Sequence, residues 1–361
     1  NVFTNTEKYE IELEWNPHKK GKTSSKRDEV SDKSIKSVKT DKEFLKKLIR
    51  HVGTVLQAYQ KSYYLISESE KNLLIEQYYK LMGKITFQAP LPITLELYHL
   101  KQYTNKQYKY EHPNTIRKGY TVTEKADGER YLLIVGNNSK IYFWNRENRI
   151  IYTGSKIPGY ENTILDGELV TKDLENNNIR HFLTFDIYFD KGDDIRELPL
   201  GEETHSRTRL HHLKDIITAW SHKDTGITHE IKEMPLLVMK KNFKYGNQLL
   251  KYGENQDNIS SNDTVIFNSC REILEKMSVK YGGLNHEGHN YHYPTDGLIF
   301  TPYQLGVGQN EDGEYTPMTN LSWFRQYKWK PHTKNSIDFH VQVYTDITTN
   351  KPVDIYYQGQ G

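Results

Sequence analysis

Residues 125–130 read KADGER and hold a lysine, a carboxylate, a glycine and an arginine in fixed register. Four such positions coincide by chance about 0.002 times in a chain of this length, at roughly 1 in 20 for each residue type. Lysine is a nucleophile only when neutral, which near pH 7.4 costs about 4 kcal/mol at its reference pKa of about 10.4. A cationic neighbour such as Arg130 disfavours the ammonium form of Lys125, and Gly128 permits close backbone approach. The motif therefore indicates covalent catalysis by Lys125.

KADGER resembles the nucleophile motif of the covalent nucleotidyltransferases, a superfamily of ATP-dependent DNA ligases, RNA ligases and mRNA capping guanylyltransferases. The resemblance implies that Lys125 attacks the α-phosphate of a nucleoside triphosphate, forms a lysyl–nucleotide phosphoamide and releases pyrophosphate. The nucleotide then passes to a phosphorylated 5′ end of a nucleic acid. Further motifs of the superfamily follow in order, so the resemblance covers residues 110–345.

These further motifs supply a candidate nucleotide and metal site. Glu168 in ILDGELV matches an acidic residue near the ribose and the metal, and Asp296 in TDGLIF matches a carboxylate associated with metal and phosphate. Phe185 in LTFDIYF matches a ring that stacks on the base. Lys328 and Lys330 in YKWKP alternate along a predicted strand, so both reach one face, and they match a pair that contacts the α-phosphate. The resemblance implies Mg²⁺ or Mn²⁺ as the cofactor.

The remaining GTP contacts are expected from basic residues. Arg130 belongs to the nucleophile motif, and Arg146 in YFWNREN falls where the family has an arginine that reaches the sugar. Lys240 and Lys241 precede Phe243, where the family often has a phosphate-contacting lysine, and Lys241 is preferred. Other interpretations stay open at this point: a solvated turn for Arg146, core packing for the candidate stacking ring, and an edge-strand charge pair for the two downstream lysines.

The segment KWKPHTKNSIDFHV separates the capping enzymes from the ligases. It resembles the capping-enzyme ending, in which Asp338 matches an aspartate that follows the two-lysine strand. Near the amino terminus, Glu10, Glu12 and Glu14 in YEIELEW share one face of a predicted strand. That strand resembles the last strand of the metal-dependent RNA triphosphatase in large-DNA-virus capping enzymes, or is an ordinary amphipathic edge strand.

The resemblance therefore implies an mRNA guanylyltransferase of the viral multifunctional type. It would form lysyl-GMP from GTP and transfer GMP to 5′-diphosphate RNA, giving a GpppN cap. Two alternatives stay open: an ATP-dependent polynucleotide ligase and a non-catalytic nucleotide-binding homologue. The segment HEGHNYHY holds His286, His289 and His292, and its glycine and following proline favour an exposed loop over a metal site.

The composition of the chain excludes some classes of protein but does not identify its function. The net charge of +2 neither demands nor excludes nucleic acid as a partner. No apolar run approaches the ~18 residues of a membrane span, so no membrane partner is expected. Cys270 is the single cysteine, which excludes an intrachain disulfide and a Cys-based zinc site. A cytoplasmic location, in a viral factory or virion, is expected.

The elements that must position these residues alternate between strands and helices. TVTEK, RYLLIV and KIYFWN predict strands, whereas RTRLHHLKDIITAW and DTVIFNSCREILEKM predict helices. This pattern predicts an α+β fold. The resemblance makes it a nucleotidyltransferase (ATP-grasp-like) domain of antiparallel sheets flanked by helices.

Two helices are predicted ahead of that domain. Thr40 with Glu43, and Ser67 with Glu70, form capping boxes, and Gly83 is a natural C-terminal stop. Apolar residues recur at helical spacing after each cap. The pair is expected to pack on the domain that follows it.

The expected organisation begins with the end strand of a preceding triphosphatase-like domain and a lysine- and serine-rich linker. The helical pair, the nucleotidyltransferase domain, and the start of an OB-fold or a tail follow. The predicted bounds are, in order, 1–17, 18–40, 41–85, 86–335 and 336–361. Because the chain begins with Asn1, it is expected to be part of a longer polypeptide. The resemblance implies that triphosphatase, OB-fold and methyltransferase domains would be its further parts, and the sequence itself reveals no methyltransferase.

The family follows its catalytic domain with an OB-fold, whose basic motif orients the pyrophosphate leaving group. Residues 331–361 are all that follows Lys330, and FHVQVYTDITTNKPVDIYY could supply only a first hairpin. The sequence as given is therefore expected to bind GTP with slow or absent self-guanylylation.

Overall fold

The computed structural model describes most of the 361 residues, from Lys33 to Val353, with gaps. Four expectations lie outside the described residues: the glutamate strand at 1–17, His286, His289 and Asp338. The described residues are 33–60, 62–100, 115–222, 226–230, 235–246, 265–277, 291–310, 312–314, 322–334, 344–345, 349 and 352–353.

Helices form where apolar residues recur every three or four positions, and strands form along the β-branched and aromatic runs. The helices are α1 (Lys33–Gln60), α2 (Glu68–Met82), α3 (Leu97–Leu100), α4 (Arg209–Trp220) and α5 (Val265–Met277). The strands are β1 (Leu91–Thr94), β2 (Tyr120–Ala126), β3 (Glu129–Val135), β4 (Lys140–Asn145), β5 (Ile150–Lys156), β6 (Ile164–Lys172), β7 (Asn178–Asp190), β8 (Asp193–Asp194), β9 (Thr228–His229), β10 (Leu237–Lys240), β11 (Lys244–Tyr245), β12 (Thr295–Pro302), β13 (Ser322–Trp329), β14 (Tyr344–Thr345) and β15 (Pro352–Val353).

Most of the strands belong to two mixed sheets. The small sheet has the order β1-β13-β12-β2-β11, and the large sheet has the order β10-β7-β6-β3-β4-β5-β9, with β8 paired to β7. The pairs are antiparallel except at one edge of each sheet, where β1 runs parallel to β13 and β10 runs parallel to β7. The predicted α+β class, with amino-terminal helices and antiparallel sheets, is confirmed apart from these two parallel pairs. Parallel strands need a long connection between them, and the strands of each of these two pairs are separated by a long stretch of sequence.

Helices cover both faces of the large sheet. In β3, Tyr131, Leu133 and Val135 pack with α4 on one face, while Leu132 and Ile134 pack with α2 on the other. Continuous apolar runs such as RYLLIV are typical of strands buried on both faces. The small sheet packs against α5, and a fourth apolar cluster joins the two sheets beside the end of β2.

The second predicted helix is confirmed in detail. The Ser67 side chain accepts a hydrogen bond from the Glu70 backbone N–H, at 3.1 Å. At the other end, Gly83 has a φ of +73° and donates to the Tyr79 carbonyl oxygen at 2.8 Å, which closes the helix with a left-handed residue.

The first predicted helix starts earlier than expected. Because α1 begins at Lys33, it includes the end of the segment assigned to the 18–40 linker, and Thr40 lies inside it instead of capping it. Lysine is a good helix former, so a lysine-rich segment next to an amphipathic one extends the helix.

The packing expected of α1 is also not seen. Four apolar side chains at helical spacing, Leu45, Ile49, Val52 and Leu56, are between 40 and 61% exposed. In contrast, α2 buries Leu74 and three neighbours in the core. Only α2 of the pair therefore stabilises the catalytic sheets through its apolar residues.

Near the carboxyl terminus, β14 and β15 pair as an antiparallel hairpin, in agreement with the expected first hairpin. Among the described residues, no helix has the length and apolar content needed to cross a membrane.

Candidate active site

The KADGER segment crosses from one sheet to the other. Lys125 lies at the end of β2 in the small sheet, and Arg130 lies at the start of β3 in the large sheet. Gly128 lies in the turn between them, and a Cβ atom there would sit 2.5 Å from the Leu169 carbonyl oxygen. Only glycine fits this close approach. The tight turn therefore places Lys125, the candidate nucleophile, at the junction of the two sheets.

Lys125 is paired with a carboxylate from the neighbouring strand. Its Nζ donates to Asp296 Oδ1 at 2.8 Å, and Lys330 Nζ lies 2.6 Å from the other oxygen, Asp296 Oδ2. The Lys125 side chain is 22% exposed, so it remains reachable from solvent. The Asp296 carboxylate thus holds Lys125, the predicted nucleophile, close to Lys330, which is predicted to contact the α-phosphate.

Strand register explains this meeting of distant residues. Lys125 pairs with Gly297, and Lys328 pairs with Ile299 across β12 and β13. A Cβ atom on Gly297 would lie 1.9 Å from the Trp329 carbonyl oxygen, so glycine lets β12 approach the end of β13. The Lys328 side chain is partly buried and makes no hydrogen bond or ion pair with the other described residues.

Glu168 brings a second carboxylate to the site from β6 of the large sheet. Burial raises the pKa of the Glu168 carboxyl, while the positive charges of Lys241, Lys125 and Arg130 oppose that rise, in this order. Within the described part of the chain, its carboxylate has no hydrogen-bond partner. Its oxygens are therefore available to a ligand, as the sequence predicts.

Arg130 does not have the partner expected from the sequence. Its charge was expected to act on Lys125, but it is paired with a carboxylate. Its guanidinium binds the Asp166 carboxylate at 2.9 and 2.5 Å and the Pro90 carbonyl oxygen at 2.7 Å. Tyr188 donates to the same carboxylate. Since the charge of Arg130 is compensated by Asp166, the ion-pair partner of Lys125 is Asp296.

Phe185 lies between two cations at the edge of the site. The Arg130 guanidinium carbon is 5.3 Å and the Lys241 Nζ is 5.9 Å from the centre of its ring. The ring is partly exposed, which agrees with a role in stacking and disfavours plain core burial. Lys240 instead pairs with Glu203 at 2.5 Å, so Lys241 is the lysine that faces Phe185.

Three other predictions have different outcomes. Arg146 is exposed in the turn after β4, next to Asn145, which donates to Glu129 at the start of β3. Arg209 is fully buried and binds Asp186, so it is structural. His292 contacts His181 at 3.0 Å, and the described histidines form no metal cluster.

Two acids of this site were not singled out from the sequence. Asp166 lies in the ILDGELV motif. Strand register places Glu168 directly opposite Arg130, but the guanidinium reaches diagonally across the two strands and binds Asp166. Glu124 precedes the nucleophile and is fully buried beside Lys241. An acid next to a motif lysine within a predicted buried strand is the signal that could have identified Glu124.

The donor set suits a hard cation that arrives with a triphosphate. Glu168 and Asp296 both act electrostatically on Lys125, and carboxylate oxygens are ligands that Mg²⁺ and Mn²⁺ accept. The described residues contain no group of three or more His, Cys, Asp or Glu side chains that could hold a metal ion. A metal here would therefore take further ligands from phosphate and water.

Comparison with known proteins agrees with this chemistry. Residues 114–281 match the family model described as mRNA capping enzyme, catalytic domain. A probable mRNA-capping enzyme of Acanthamoeba polyphaga mimivirus is 26% identical over 254 residues, which cover 65% of this chain and 20% of that protein. An mRNA-capping enzyme of Danio rerio is 25% identical over 236 residues, covering 63% of this chain and 31% of that protein. The chain thus spans at most about a third of these curated relatives.

Among solved structures, the ligase domain of M. tuberculosis LigD aligns with a TM-score of 0.32 at 14% identity. The alignment covers 58% of this chain and 53% of that one.

The family match and the lysine-centred motif series place this region among the covalent nucleotidyltransferases. Within that class, residues 114–281 match the catalytic domain of the mRNA capping enzymes, which is the guanylyltransferase domain of that family. The family predicted from the motifs is confirmed for this part of the chain.

Proposed function

We propose that this chain transfers GMP from GTP to the end of a 5′-diphosphate RNA through a covalent intermediate on Lys125. The observation that carries the proposal is the hydrogen-bonded set of Lys125, Asp296 and Lys330 at the junction of the sheets. Glu168 and Phe185 approach the same junction from the large sheet. A nucleotide bound between the sheets would have its base near Phe185 and its phosphates near the lysines.

In the first step, the neutral Lys125 Nζ forms a bond to the α-phosphorus of GTP. The bond between that phosphorus and the bridging oxygen of the β-phosphate breaks, and pyrophosphate leaves with the electron pair. In the second step, a β-phosphate oxygen of the RNA attacks the same phosphorus, and the N–P bond breaks as Lys125 regains a proton. Lys328 and Lys330 stabilise negative charge on the transferring phosphate.

A lysine is a nucleophile only as the free amine, so a proton must leave before attack. Asp296 accepts the hydrogen bond from Lys125 and is the nearest base in the site. Lys330 lies beside the other oxygen of that carboxylate and holds Asp296 in position. A divalent cation bound with the triphosphate, held by Glu168 and Asp296, would offset charge on the phosphates.

The finer assignments are part of the same proposal. Residues 86–335 form the nucleotidyltransferase (ATP-grasp-like) domain, and the β14–β15 hairpin begins an OB-fold. The protein is a cytoplasmic, viral-type multifunctional capping enzyme, whose further domains include a triphosphatase and a methyltransferase. The exposed Arg146 reaches the ribose, and Asp338 completes the phosphate-side contacts.

Adduct mapping tests the proposal directly. We expect incubation with α-labelled GTP and Mg²⁺ or Mn²⁺ to label the protein slowly, over hours, and peptide mass spectrometry to place GMP on Lys125. Excess unlabelled GTP should suppress labelling more strongly than ATP. Preference for ATP would favour the polynucleotide ligase instead. An adduct on another residue would contradict the proposed function, and rapid formation of the adduct would contradict the slow labelling expected of this sequence.

Replacing Asp296 with asparagine tests its role as proton acceptor. We expect Asp296→Asn to slow adduct formation about 100-fold, the lower end for loss of a general base. The KM for GTP should change little, because asparagine keeps the shape and one oxygen acceptor. Initial rates against GTP concentration measure both quantities, and Asp312→Asn, on an exposed loop, is the matched control. A change confined to KM would remove Asp296 from the chemical step.

A further inference from the structure

We propose that Glu124 is a positioning residue that holds the Lys241 ammonium in the nucleotide site. The proposal rests on the guanylyltransferase function and deepens it, because it assigns how that site orients a purine nucleotide. Neither the family motif nor the sequence pattern assigns a role to the residue that precedes the nucleophile.

The surroundings of Glu124 are those of a buried ion pair. Its side chain is 0% exposed, and its Oε1 lies 3.3 Å from Lys241 Nζ, which also donates to the Glu124 carbonyl oxygen. Tyr293 donates to Oε1 at 3.0 Å and Thr123 donates to Oε2 at 2.8 Å. Burial raises the pKa of the Tyr293 phenol, so that phenol stays a donor. The Glu124 carboxylate thus has a protein partner on each oxygen, which offsets the cost of its burial.

The ion pair joins the two sheets at the site. Glu124 is next to Lys125 on β2 of the small sheet, whereas Lys241 follows β10 of the large sheet. The Lys241 backbone N–H donates to the Thr184 carbonyl oxygen at 2.9 Å, which fixes its main chain beside β7. Glu124 therefore sets where the end of the Lys241 side chain lies relative to the nucleophile.

Lys241 keeps N–H donors for a ligand. An ammonium group has three donors; one is used by the Glu124 carbonyl oxygen, and the Glu124 carboxylate forms an ion pair with the same nitrogen. The Lys241 Nζ lies 5.9 Å from the Phe185 ring centre, and it is the largest favourable charge acting on Glu168. A remaining donor is thus suited to an acceptor atom of the bound nucleotide.

Glu124→Gln tests this arrangement because it keeps the side-chain shape and removes the charge. We expect the equilibrium Kd for GTP to rise about 10-fold at pH 7, because the Lys241 ammonium is no longer held in place. Fluorescence titration with GTP measures Kd, a thermal melt confirms that the variant is folded, and exposed Glu314→Gln is the control.

Lys241→Met and the double variant decide whether Glu124 acts through Lys241. We expect the double variant to bind GTP as Lys241→Met does, with no further loss from the change at Glu124. Additive losses would overturn the proposal and leave Glu124 a purely structural residue. Because Kd is measured without chemistry, this result is separate from the adduct test, which alone decides the proposed function.

Discussion

Replacing Lys125 with alanine or arginine is expected to abolish formation of the lysyl–GMP adduct, lowering its rate at least about 10⁴-fold. Alanine removes the nucleophilic amine. Arginine keeps a positive charge beside Asp296, but a guanidinium is not deprotonated in proteins and cannot attack phosphorus. The arginine variant therefore separates loss of the nucleophile from loss of the ion pair. Labelling with α-labelled GTP, followed over hours, gives the rate for each variant.

Lys118→Ala is the matched control for this experiment, because Lys118 is exposed just before β2 and lies outside the site. It should form the adduct at the wild-type rate. Both Lys125 variants should still bind GTP, since Lys328, Lys330 and Phe185 remain. Labelling of Lys125→Ala at the wild-type rate would assign the nucleophile to another residue.

Replacing Arg209 with methionine is expected to destabilise the protein by about 3–5 kcal/mol, because it leaves a buried carboxylate without its partner. Arg209 is fully buried at the start of α4 and binds both oxygens of Asp186, at 2.7 and 3.1 Å. It also donates to the carbonyl oxygens of Leu198 and Leu305. One guanidinium therefore ties α4, β7 and two loops together. Denaturant unfolding monitored by fluorescence measures the loss.

Two comparisons make this stability prediction specific. Arg207→Met, two positions earlier and exposed, should leave the free energy of unfolding within about 0.5 kcal/mol of wild type. Adding Asp186→Asn to Arg209→Met should recover part of the loss, because it removes the unpaired charge. A loss below about 1 kcal/mol for Arg209→Met would mean that water or rearrangement replaces the pair.

Much of the site could be predicted from the sequence because its residues lie in short motifs with strong local signals. KADGER, ILDGELV and TDGLIF each combine a buried strand with a polar end, and the structure brings Lys125, Glu168 and Asp296 to one junction. Local patterns also predicted the α+β class and the caps of α2. Alternation and capping act within a few residues, so one sequence suffices to recognise them.

Partners that depend on strand register could not be predicted in this way. Asp166 and Glu168 both lie near Arg130, which is directly opposite Glu168 in register yet binds its diagonal neighbour Asp166, so the sequence does not show this choice. The exposure of the apolar side chains of α1 was not predicted either. Amphipathic spacing shows which side chains share a face of a helix, but it does not show whether another element covers that face. Pairing between distant strands decides such contacts, and it is a property of the whole fold.

The junction of the two sheets has a mechanical consequence. The amine that attacks belongs to the small sheet, whereas the carboxylate and ring expected to hold the ribose and base belong to the large one. Their separation therefore depends on the angle between two separately packed bodies. A misplacement of about 1 Å can cost 100-fold in rate. Any neighbouring domain that tilts one body against the other would thus control the speed of transfer without touching a reacting atom.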